Sequence, residues 1–146
     1  MAITVAVNAE ELGGALDPAV EALLERAVVA AARARDVAEA EVSLTLLADP
    51  AIADLNHRFL GHDGPTDVIA FALYDEGETP VGDVYLGYQQ ALRQAGEHAL
   101  PVEQELARLA VHGTLHVLGQ EHPEGDDRVD SPMWSLQERI VSGLFG

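Results

Sequence analysis

The chain contains no cysteine, so disulfides and thiolate metal sites are both excluded, and any metal must be held by His, Asp or Glu. Lysine is missing as well. The 8 basic residues are all arginine, set against 25 acidic ones and a formal net charge of -17. So acidic a surface repels polyanions, because nucleic-acid affinity comes largely from Lys and Arg displacing counterions at phosphates. Generic nucleic-acid binding is disfavoured and no DNA partner is expected, although a few arginines, each able to grip a phosphate with two parallel hydrogen bonds, could still build a local site. No apolar run approaches the roughly 18 residues that span a bilayer. The N-terminal stretch MAITVAVNAEELGG lacks the basic region that precedes the apolar core of a secretory signal. These absences lead us to expect a cytoplasmic protein without a membrane partner.

What is present is ordinary for a globular chain: 146 residues, 48% hydrophobic and 23% charged. That length suits one domain over 1–146 with a core large enough to need no staples. Ile3 to Val7 and Glu41 to Leu47 alternate as short strands do. Between them Asp17 and Pro18 give a helix start, followed by Val20, Leu23, Leu24, Ala27 and Val28 at helical spacing. Asp49 and Pro50 repeat that start, and Ile52, Leu55 and Phe59 predict a short amphipathic helix ending near Gly61. Turn residues Asp63, Gly64 and Pro65 lead into a strand from Val68 to Tyr74, and an acidic turn separates it from Val81 to Leu86, which predicts a hairpin. Helices are expected from Gln89 to Ala99 and from Glu103 to Leu118. A last helix should start at Ser131 and Pro132 and bury Trp134, Ile140, Val141, Leu144 and Phe145. The fold class this order implies is α+β, a small mixed sheet of about four strands covered by helices.

The chemistry concentrates in HGTLHVLGQEH, His112 to His122. His112 and His116 are four apart in an expected helix, so their imidazoles project from one face a turn apart and can share an ion. Gly119 stands where that helix needs a left-handed residue, after which the chain can bring His122 back toward the pair. Three neutral imidazoles leave a fourth position open, the arrangement of a catalytic zinc site. The spacing HxxxHxxGxxH is also that of metzincin proteases, but their general base directly follows the first histidine, and here that position is Gly113. Gly113 cannot take a proton.

The same stretch resembles the signature HGxLHLxGxDH of the YbeY-type rRNA maturation endoribonucleases, with Glu121 at the usual Asp. The resemblance extends upstream through LNHRFLGHDGPTDVIAF, on Leu55, Asn56, Asp63, Pro65, Thr66, Asp67, Val68 and Phe71, and through VGDVYLG from Val81 to Gly87. Gln90 with Ala91, and Met133 and Gln137 in the last helix, continue it. It implies a zinc-dependent hydrolase cutting RNA phosphodiesters in 16S rRNA 3′-end maturation and ribosome quality control. His112, His116 and His122 would hold one zinc ion, with RNA and the ribosome or its proteins as partners. Many members carry an arginine, facing the substrate, at the sixth place of the LN segment; here that place is Leu60.

Beyond the histidines, Arg58 is a candidate phosphate contact and Glu121, beside a ligand, a candidate base. Thr66 and Asp67 could orient groups near the metal or simply close a turn. Asp83, mid-strand between apolar neighbours, should accept hydrogen bonds across the sheet. His57, His62 and His98 lack the spacing of the triad. Two rival functions use the same histidines: a metallopeptidase or amidase with its base elsewhere, and a non-catalytic ribosome-associated protein whose metal only holds the C-terminal region together. The spacing itself leaves the metal open, since imidazole also suits nickel, copper, cobalt and iron.

Overall fold

The computed structural model describes residues 2–13, 16–119 and 132–145. Strand β1 spans Ile3–Asn8, followed by a 3-10 turn at Glu10–Leu12, helix α1 (Pro18–Ala34) and strand β2 (Ala40–Leu47). Helix α2 (Asp49–Leu60), strands β3 (Val68–Ala72) and β4 (Val81–Gly87), and helices α3 (Tyr88–Glu97), α4 (Val102–Val117) and α5 (Pro132–Phe145) complete the order. The four strands form one sheet in the order β1-β2-β4-β3. β1 with β2 and β2 with β4 are parallel, while β3 and β4 form the antiparallel hairpin. The α+β class and the mixed sheet expected from the sequence are therefore what the chain adopts.

Local chemistry sets the boundaries. The Asp17 side chain accepts from the Ala19 backbone N–H at 2.9 Å, satisfying one of the first-turn donors of α1, and Pro18 sits where no donor is needed. α2 ends on Gly61, left-handed at φ 70°. β3 stops at Ala72, short of the expected Tyr74, because Tyr74 leaves the ladder and gives its hydroxyl hydrogen to the Val117 carbonyl at 2.6 Å.

Alternation along the strands sorts the two faces. Val42, Leu44 and Leu46 of β2 and Val84 and Leu86 of β4 point to the side covered by α1, α3, α4 and α5, where they join Leu24, Val28, Leu106, Ala110, Leu115 and Met133 in the main core. The opposite face carries a smaller cluster in which α2 contributes Ile52 and Leu55 against Leu47, Ile69, Phe71 and Tyr85. On that face Ser43 and Asp83 are register partners, and the Ser43 hydroxyl donates to the Asp83 carboxylate at 2.8 Å. Asp83 thus accepts across the sheet, as its position in the strand required.

α5 departs in part from expectation. Met133, Gln137 and Val141, four apart, are its buried residues, whereas Phe145 is 46% exposed. The expected start at Ser131 lies outside the described residues.

Candidate functional site

α4 is the helix most deeply set in the molecule, and two glycines let it approach the sheet. A Cβ on Gly113 would lie 2.5 Å from Val84 Cγ1 and 3.2 Å from Val68 Cγ2. On the facing strand, a Cβ on Gly82 would collide with the Val117 side chain and come within 2.8 Å of the Phe71 carbonyl oxygen. At each position the shortest of those distances is below what real side-chain carbons show, so both positions favour glycine for closeness rather than for an unusual backbone angle. Thr114, fully buried, turns its hydroxyl to the Ala110 carbonyl at 2.8 Å.

With Gly113 pressed on the sheet, its neighbour His112 and the residue four further on, His116, stand on the flank of the helix, half-buried. Their ring centroids are 4.8 Å apart with the planes inclined at 64°. Gly119, just beyond the helix, has φ 85°, the left-handed conformation expected of it. His122, Glu121 and the acidic stretch after them lie outside the described residues. Among the described residues there is no cluster of three or more His, Asp or Glu close enough to hold a metal ion. The two imidazoles remain the chemically suited pair there: nitrogen donors one turn apart, able to serve one ion of a borderline-soft metal.

α5 supplies what the sequence did not reveal. Gln137 is 2% exposed, and its Oε1 lies 2.6 Å from His112 Nδ1. Its Nε2 donates to Glu138 at 3.0 Å. Arg108, one turn before His112 on α4, donates to both Glu138 carboxylate oxygens at 3.0 to 3.3 Å and to the buried Glu105 at 3.2 Å. Burial works to lower the Arg108 pKa, but the hydrogen bonds and charges of Glu138 and then Glu105 outweigh it and leave the guanidinium above its ordinary value. Gln137 already stood in the stretch that carries the resemblance, and as the one polar residue on the apolar stripe of α5, between Met133 and Val141, it was marked a second time, but neither signal named its partner.

The remaining sequence candidates sit elsewhere on the surface or in turns. Arg58 is exposed on α2, 3.4 Å from Asp54 one turn away, with its guanidinium 5.5 Å from the centre of the Phe59 ring. Leu60, at the sixth place of the LN segment, is 48% exposed. Asp67 accepts from Gln94 of α3 at 3.3 Å and from Thr66 at 3.4 Å, while its carbonyl accepts from the Gly87 N–H at 2.8 Å. That carbonyl bond and the close pass of Thr66 over Gly87, where a Cβ would strike the Thr66 oxygen, give the Pro-Thr-Asp turn a packing role. Asn56, 4% exposed, closes the loop before it by donating to the Gly64 carbonyl at 3.0 Å.

The fold defines the class as an α+β protein that carries a histidine pair on a helix packed against its mixed sheet. A family model described as Endoribonuclease YbeY matches residues 7–144. An Endoribonuclease YbeY of Moorella thermoacetica is 44% identical over 133 residues, covering 83% of this chain and 84% of its own. One from Limosilactobacillus fermentum is 39% identical over 145 residues, covering 90% and 91%. The solution structure of TM1509 from Thermotoga maritima superposes with a TM-score of 0.67 at 26% identity, over 98% of this chain and 90% of that one. The chain belongs to the Endoribonuclease YbeY family.

Proposed function

We propose that this chain is a zinc-dependent endoribonuclease that cleaves single-stranded RNA in 16S rRNA 3′-end maturation and ribosome quality control, working in the cytoplasm on or near the ribosome. The carrying observation is the histidine pair, two rings 4.8 Å apart on a helix fixed to the sheet, in a chain whose relatives are endoribonucleases. His112, His116 and His122 would hold one zinc ion, or another divalent transition metal. When bound, that ion supplies a Lewis acid for a phosphate oxygen and lowers the pKa of a water in its open position.

The chain's own groups divide the remaining work. Glu121, next to a ligand in sequence, takes the proton of the attacking oxygen. Arg58 contacts a phosphate; its exposed pair with Asp54 is of a kind that contributes only about 0.3–0.5 kcal/mol, so a phosphate can displace that partner at little cost. Gly113 disfavours the peptidase reading twice over, since it offers no base and its position is filled by the sheet.

Metal-loaded protein should cut single-stranded RNA internally and leave unfolded casein intact, and His116→Ala should abolish the RNA cleavage. Cells whose only copy carries His116→Ala should accumulate 16S rRNA with unprocessed 3′ ends. Casein cleavage lost in His116→Ala, with RNA untouched, would replace the proposal with the amidase reading.

A further inference from the structure

The hydrogen bonds between α4 and α5 carry information about protons. Gln137 Nε2 faces the Glu138 carboxylate at 3.0 Å. Both oxygens of that carboxylate already receive N–H donors from Arg108, so toward Gln137 they can only accept. The Gln137 amide is therefore oriented with its NH2 toward Glu138 and its carbonyl toward His112. A carbonyl oxygen has no hydrogen to give. At 2.6 Å from it, His112 Nδ1 must be the donor, because two acceptors at that distance would repel.

We infer that Gln137 is a positioning residue that fixes His112 as the Nδ1–H tautomer, so that Nε2 is the ring nitrogen offered to a ligand. The inference rests on the metal reading above for its purpose, but not for its geometry. An isolated neutral imidazole exchanges between two tautomers, and only one of them presents an acceptor at Nε2. Fixing the proton on Nδ1 removes that choice and also holds the ring plane. Orientation of metal-ligating histidines through the other ring nitrogen typically matters by about 10–100-fold in metal affinity. The device is built from this chain's own packing. Gln137 is buried between Met133 and Val141, so its amide cannot turn out to water, and the Arg108–Glu138 contact sets which way it faces.

The test is direct observation of the His112 ring nitrogens by long-range 15N–1H NMR in the metal-free full-length protein, together with zinc titration. Wild type should show Nδ1 protonated and Nε2 bearing the lone pair. Gln137→Met, which keeps length but removes the acceptor, should give a mixture of tautomers and a zinc affinity about 10–100-fold weaker. Nε2–H in wild type would overturn the inference whatever the variant does. An unchanged tautomer and unchanged zinc affinity in folded Gln137→Met would overturn it equally. Should wild type show Nδ1–H yet bind no zinc, the metal reading fails while the tautomer assignment stands, so the two failures are distinguishable.

Discussion

At the scale of single residues, the most telling position is a glycine. Gly113 lets α4 lie on β4, and filling it forces either the helix or Val84 to move. Overpacking of this kind costs about 1–3 kcal/mol, so Gly113→Ala should unfold at lower denaturant with an unchanged slope. An equally stable variant would mean that α4 is free to shift. Tyr85 is a second residue with a measurable signature. Burial first, and the nearby Asp83 charge second, raise its phenol above the ordinary value of 10.0. As pH climbs past that value the unfolded chain ionises while the folded one stays protonated, so the folded state loses stability. Against Tyr85→Phe, which lacks this proton, wild type should show an extra loss confined to pH above 10. A constant difference across that range would contradict the assignment.

Between elements, α4 and α5 are joined by the contact of Arg108 with Glu138, and Arg108 also bonds Glu105 on its own helix. Glu105 is 4% exposed, so Arg108→Ala strands a buried carboxylate and should cost about 2–4 kcal/mol, somewhat under the range for fully buried pairs because Arg108 reaches solvent. Thermal unfolding would measure it; a change below about 0.5 kcal/mol, the size of an ordinary surface substitution, would show that the contact carries no weight. This level also separates what was legible in the sequence from what was not. Asp17, Pro18 and Gly61 announced helix ends because capping is local chemistry. The hairpin and the position of Asp83 followed from alternation with a period of two. By contrast, the Gln137–His112 bond joins residues 25 apart, and the tie from Tyr74 to Val117 spans 43. No local pattern encodes such pairs, since they exist only after helices and sheet have packed. Phe145 was expected inside for its apolarity alone, but it lies at the end of α5, past the last residue that the core covers.

For the molecule as a whole, the formal charge of -17 is the dominating electrostatic fact. An RNA must approach against that field, with few arginines to hold it. Binding of naked single-stranded RNA should therefore be weak, with a shallow salt dependence set by the small number of phosphates engaged. Tight binding with a steep salt slope, read by titration at 50 and 200 mM salt, would mean that a basic surface forms which the sequence does not suggest. Against a field of that sign, a dication held at the histidines would be the strongest local attraction available to a phosphate. The most direct test is the metal content of the purified protein. Wild type should carry about one equivalent of zinc or a related transition metal, and folded His116→Ala close to none. Equal metal content in the two proteins, or none in either after purification in its presence, would contradict the account at its centre.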